Sequence, residues 1–133
     1  MKLFIDTSAW LALHDRSDKY FEEASARSLI IKKRKIEIIT SDFIMDESIT
    51  IIRFRVSHQA AILFGDSLFA SKIMKILRVD SEHIHKAWAL FKKFNDKSLS
   101  FTDCTSFILM KEIGVQSAFT FDDHFRQGGF DIF

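Results

Sequence analysis

Proline is absent from this 133-residue chain, glycine occurs four times and cysteine once. Disordered linkers and all-β sandwiches draw heavily on turn-forming residues, so a chain this poor in them fits neither class. The single cysteine, Cys104, excludes an internal disulfide and a cysteine-built metal knuckle. A basic excess is missing as well: 19 Lys and Arg stand against 18 Asp and Glu, for a formal charge of +1. Proteins that hold nucleic acid non-specifically usually carry a visible positive surplus, so net charge gives no support to an RNA partner. No apolar run approaches membrane-spanning length, and Met1-Lys2-Leu3-Phe4-Ile5-Asp6 meets an acid too early for a secretory signal. The expectation is a cytoplasmic protein with no membrane association.

What the chain does have in quantity is phenylalanine, fifteen residues of it, which means a core rich in large rings. Its length suits one domain with one core, taken as residues 1–133. The densest basic run, Lys32-Lys33-Arg34-Lys35, reads as a solvated helix end that complements the helix dipole.

Short apolar runs alternate with helical periodicity along the whole chain. Leu3-Phe4-Ile5 has the pattern of a buried strand and ends in Asp6-Thr7-Ser8, which can cap a helix. A helix is predicted from about Ser17 to Lys33, a second strand over Ile36–Thr40, and a helix from Ser41 or Asp42 through Arg55. The stretch Ser57–Lys75 reads as helical, Ile76–Val79 as a third strand, and Asp80-Ser81 as the cap of another helix. Ile84, Ala87, Trp88, Phe91 and Phe94 mark that helix with the cleanest apolar stripe in the sequence. Ser100-Phe101-Thr102-Asp103 opens a helix that Gly114 closes as a left-handed cap. Ser117–Phe121 is a strand with an acid at its end; a short helical turn, Gly128-Gly129 and a last strand over Phe130–Ile132 follow. Alternating strands and helices define an α/β domain with a largely parallel sheet, its two faces covered by right-handed crossovers. Sites in such sheets form beyond the carboxyl ends of the strands.

Asp6 and Asp122 each follow a strand directly, and Asp103 lies in the first turn of a helix that can face the same edge. Each also has an ordinary explanation, Asp6 and Asp122 as helix caps and Asp103 as the partner of Ser100 in a capping box. Glu47 falls on one helical stripe with Phe43, Ile44, Ile51 and Phe54, so a carboxylate interrupts an apolar face. Such a carboxylate needs a cation or a donor beside it. A salt bridge to Arg53 or Arg55 is the structural alternative, while Asp46 falls on another face and reads as a surface residue. Carboxylates gathered at one edge repel one another unless a cation is present, and hard oxygen donors favour Mg²⁺ or Mn²⁺ over zinc. Thr7, Ser8 and Thr102 adjoin these acids and can orient them or cap helices. The histidines do not suggest ligands: His83 and His85 point to different helix faces, and His124 reads as a surface residue at the rim.

Four segments together resemble the PIN domain, and most closely the VapC-type toxins of toxin–antitoxin pairs. They are Phe4–Trp10, Asp46-Glu47-Ser48, Ser100–Ser106 and Phe119–Phe130, in that family's order and spacing. The resemblance implies a three-layer α/β/α sandwich around a parallel sheet and an Mg²⁺- or Mn²⁺-dependent RNA endonuclease site. Residue by residue, Asp6, Glu47, Asp103 and Asp122 match the family's acidic quartet. Thr7, Thr102 and Thr120 match the hydroxyls that adjoin it. In that reading Asp6, Glu47 and Asp103 hold the metal directly with Asp122 behind them, and cleavage leaves a 5′-phosphate and a 3′-hydroxyl. The resemblance further implies a homodimer and an antitoxin whose tail covers the acidic groove. The doublets Asp122-Asp123 and Asp46-Glu47 leave two assignments open, although strand alternation and the motif favour Asp122.

Three other readings compete. A haloacid dehalogenase-type phosphatase also starts with a strand ending in an acid, but its acid/base Asp two residues on is Ser8 here. A non-catalytic RNA- or protein-binding domain has no need of all four acids. A housekeeping RNA-processing nuclease of the same fold is the nearest alternative, and the short chain leans towards the toxin.

Overall fold

The computed structural model describes residues 1–133. Five strands form one sheet: β1 (Lys2–Ile5), β2 (Glu37–Ser41), β3 (Met74–Leu77), β4 (Ser117–Phe119) and β5 (Asp131–Ile132). Every pairing is parallel and the order is β3-β2-β1-β4-β5. Leu3, Phe4 and Ile5 are all buried, as expected of a central strand covered on both faces. Seven helices surround the sheet: α1 (Thr7–His14), α2 (Phe21–Arg34), α3 (Asp42–Arg55), α4 (His58–Ala70), α5 (Ser81–Lys93), α6 (Phe101–Ile113) and α7 (His124–Gln127). The α/β class and the parallel sheet expected from the sequence are those observed. No helix is long and apolar enough to cross a membrane.

The chain builds the sheet outward from β1 to β2 and β3, then returns to lay β4 against the other side of β1. The strand order therefore reverses between β1 and β4, and the crevice beyond their carboxyl ends is where sheets of this type place a site. Asp6 follows β1 and Asp122 lies three residues past β4. Ser41, at the end of β2, caps α3 by accepting the Ile44 N–H, and so aims the helix that carries Glu47. Gly114 closes α6 in the left-handed region (φ 70°), after which the chain turns directly into β4. That turn leaves the N-terminus of α6, with Asp103, at the same edge of the sheet.

Several boundaries differ from those expected, each for a local reason. The helix expected from Ser17 starts at Phe21, because the Asp15 and Asp18 carboxylates accept the backbone N–H groups of Ser17 and Tyr20 and hold turns there. The helix expected through Lys75 ends at Ala70. Ser71 Oγ accepts the Met74 N–H, and Met74 to Leu77 then pair with Ile38 to Ser41, two residues ahead of the expected strand. The strand expected through Phe121 stops at Phe119, since the N–H groups of Phe121 and Asp122 go to side chains in the site rather than to the sheet. On α5 only Ala87 of the five-residue stripe is buried; Trp88 is 51% exposed and Ile84 and Phe91 are each 38% exposed.

Candidate active site

Asp6 occupies the N-cap position of α1, yet its side chain makes no capping hydrogen bond. Its Oδ2 instead accepts from Thr120 Oγ1 at 2.9 Å and Ser8 Oγ at 3.0 Å. Thr120 and Ser8 are fixed in turn, because they accept the N–H groups of Asp122 (3.0 Å) and Phe121 (2.9 Å). Two of these four bonds, Thr120 to Asp6 and Phe121 to Ser8, tie the end of β1 to the segment after β4, and together the four explain why the strand ladder ends where it does. Burial pushes the Asp6 carboxyl up from 3.8 to about 6; the Asp103 charge also raises it, while the Thr120 and Ser8 hydrogen bonds oppose the rise.

Glu47 is held by a relay. Buried Ser48 donates to Thr7 Oγ1 at 3.3 Å, and Thr7 Oγ1 donates to Glu47 Oε1 at 2.5 Å. The stripe that carries Glu47 is not the core stripe expected from the sequence. The buried stripe of α3 is Ile44, Ser48 and Ile52, and Glu47 is half-buried on the neighbouring stripe with Phe43 and Ile51. That stripe faces a cavity rather than the core. Glu47 forms no salt bridge, so the alternative of pairing with Arg53 or Arg55 does not hold. Asp46 is exposed, as expected.

Asp103 does complete a capping box: its N–H donates to Ser100 Oγ and its Oδ2 accepts the Ser100 N–H, both at 3.0 Å. The cap does not use up the carboxylate, for the same Oδ2 lies 2.9 Å from His124 Nδ1. Asp122 Oδ2 is 3.1 Å from that nitrogen, while its Oδ1 accepts the His124 N–H at 3.0 Å. His124 is therefore not a surface bystander. Asp103, Asp122 and His124 form a group whose ligand atoms lie within 4.8 Å of one another. The sequence signal for it is the spacing in Asp122-Asp123-His124, where an Asp turned back on the backbone two residues on brings the intervening loop round. Asp123 is exposed and pairs with Arg126.

Asp6, Glu47, Asp103, Asp122 and His124 line one cavity of about 350 Å³, in which Arg55 is the only Lys or Arg. Thr102 stands apart: it lines the adjoining groove, and its carbonyl accepts from Thr105 and Ser106 within α6. Ser8 and Ser48 take larger parts in holding the acids than Thr102 does. None of the four acids is paired with Lys or Arg, and their donor set is carboxylate oxygens and one imidazole. The carboxylate oxygens suit a hard divalent cation, while the imidazole is a donor more usual for zinc, iron or copper.

An α/β fold with this acidic crevice defines a class that comparison identifies. The PIN domain model matches residues 3–131, and the chain belongs to the PIN-domain family. Within that family its homology is to the VapC-type ribonuclease toxins. It is 30% identical over 128 residues to the 23S rRNA-specific endonuclease VapC20 of Mycobacterium tuberculosis, covering 96% of this chain and 95% of that protein. The crystal structure of VapC20, described as a sarcin-ricin loop cleaving toxin, superimposes with a TM-score of 0.87 at 28% identity, over 96% of this chain and 95% of the other. FitAcB from Neisseria gonorrhoeae matches in fold, with a TM-score of 0.67 at 16% identity, over 100% of this chain and 96% of that one.

Proposed function

We propose that the chain is a metal-dependent endoribonuclease, the toxin of a toxin–antitoxin pair, with Asp6, Glu47, Asp103 and Asp122 as its acidic site. The observation that carries this reading is the convergence of four carboxylates from four separate segments on one cavity. Mg²⁺ or Mn²⁺ bound there would offset the carboxylate charges and supply the Lewis acidity that activates water against a phosphodiester.

The chain's own residues do the positioning. Thr120 and Ser8 fix the Asp6 carboxylate, and Ser48 and Thr7 fix Glu47. His124 Nδ1 sits between Asp103 and Asp122, where it orients both carboxylates. Thr102 acts at most on the neighbouring groove. Water attacks phosphorus in line, the P–O3′ bond breaks, and the products are a 5′-phosphate and a 3′-hydroxyl. The antitoxin tail occupies the same acidic groove, and the chain pairs with a second copy. The four-acid site and the homology to toxins favour this over a housekeeping nuclease or a binding module.

Because VapC20 is a 23S rRNA-specific endonuclease, intact ribosomes are the first substrate to try. With Mg²⁺ the chain should release a discrete 23S fragment with a 5′-phosphate, and EDTA or Asp6→Asn should abolish it. Cleavage that persists in EDTA or in Asp6→Asn would overturn the assignment.

A further inference from the structure

We propose that the groove beside the acidic cavity is a nucleobase subsite, taking a base next to the scissile phosphate while Arg55 holds the phosphate at the junction. This inference rests on the endoribonuclease reading and adds how the substrate is gripped. The groove encloses about 660 Å³ and is walled by Phe43, Ile51 and Phe54 of α3 and by Phe101 at the start of α6. It shares Glu47, Ile51 and Arg55 with the acidic cavity, so the two adjoin along that stretch of α3. A strand of RNA whose phosphate reaches the acids has its neighbouring nucleotide in this groove.

The walls suit a base. Phe101 meets Trp88 and Phe91 of α5 edge-on, at 67° and 81° with ring centroids 6.3 Å apart, so it is a supported platform. Phe54 is 80% exposed, an unfavourable placement for so large an apolar ring unless something covers it. Stacking of a base on an aromatic side chain contributes about 1–3 kcal/mol and tolerates any base. Arg55 closes the last turn of α3 and makes no salt bridge, although Glu47 lines both of the same hollows. An unpaired guanidinium at the junction of an aromatic groove and an acidic cavity matches a phosphate with a base on one side.

The groove also resolves the charge problem. A cavity lined by four acids and a single arginine cannot draw much affinity from displaced counterions. Stacking supplies an attraction that salt does not screen, and it needs only one well-placed cation.

Fluorescence anisotropy with 5′-fluorescein octa-adenylate and an abasic octamer, in an Asp6→Asn background with Mg²⁺, tests the proposal. Adding Phe54→Ala should weaken octa-adenylate binding at least about fivefold and leave abasic binding unchanged. Adding Arg55→Ala should weaken both and lower the salt slope by about one. Mn²⁺ affinity of Phe54→Ala in the otherwise unaltered chain should equal the parent's, which shows that the fold and the acid site are intact. Equal octa-adenylate binding with and without Phe54→Ala overturns the subsite. So does a Phe54→Ala variant that changes only its sedimentation coefficient, because the groove is then a protein interface. If the parent cuts ribosomal RNA and either result is seen, only the subsite fails; a parent that neither cuts RNA nor binds Mn²⁺ removes the nuclease reading itself.

Discussion

Folding takes the Asp6 carboxyl out of water and sets it near the Asp103 charge, and two hydroxyl donors offset that only in part. The folded group titrates at about 6, against an ordinary value of 3.8. Between those values the metal-free native protein keeps a proton that the unfolded chain gives up, so stability falls as pH rises from about 4 to 6. Above that window the cost is on the order of 3 kcal/mol. Asp6→Asn should therefore raise the Tm in EDTA at pH 8 by several degrees and flatten the pH dependence between 4 and 6. Calorimetry across that range checks it, and a destabilised Asn variant would contradict the electrostatic account. Thr7→Val removes the donor to Glu47 at nearly constant volume. It should lower Mn²⁺ affinity about 10–100-fold, as loss of a residue that orients a ligand does, and titration calorimetry reads it directly. At this scale the sequence marks the four acids and, among their partners, Thr7, Ser8 and Thr120, but not Ser48 or His124. Helical spacing alone puts Glu47 on a core stripe, whereas the core stripe is Ile44-Ser48-Ile52 and Glu47 borders a cavity. His124 cannot be recognised without the turn that Asp122 makes back onto its N–H.

Four of the seven helices announce themselves by their caps, the exceptions being α1, α2 and α7. Ser41, Ser57, Asp80 and Ser100 each accept a backbone N–H in the first turn of the helix they precede. The Lys32–Arg34 run does sit in the last turn of α2, with Lys35 left-handed just beyond it. Edge strands are harder to place, because β3 alternates only weakly in burial and takes its register from β2 rather than from its own apolar pattern. The α5 stripe reads as the clearest core face, yet most of it faces outward. Ile84, Trp88 and Phe91 make an exposed apolar patch, which suits the pairing with a second copy proposed above. If the chain pairs with a second copy as proposed, Ile84→Glu should weaken that pairing in analytical ultracentrifugation, with an unchanged far-UV circular dichroism spectrum. A dimer of undiminished affinity would place the pairing surface elsewhere.

For the whole molecule, the decisive feature is the return of the chain to lay β4 against β1. No single segment of the sequence contains a site, since its acids come from the ends of β1 and β4 and the early turns of α3 and α6. The topology turns those individually ordinary positions into neighbours at one crevice. Net charge is a poor guide at this scale: a balance of +1 says nothing about a cavity lined by four acids and a single arginine. The acidic doublets allow the most direct test, because each pairs a cavity residue with an exposed neighbour of similar chemistry. Mn²⁺ binding by calorimetry should be lost or weakened at least about tenfold in Glu47→Gln and Asp122→Asn. Asp46→Asn and Asp123→Asn should bind as the parent does. If the exposed members of the doublets matter as much as Glu47 and Asp122, or none of the four matters, the acids do not form one metal site.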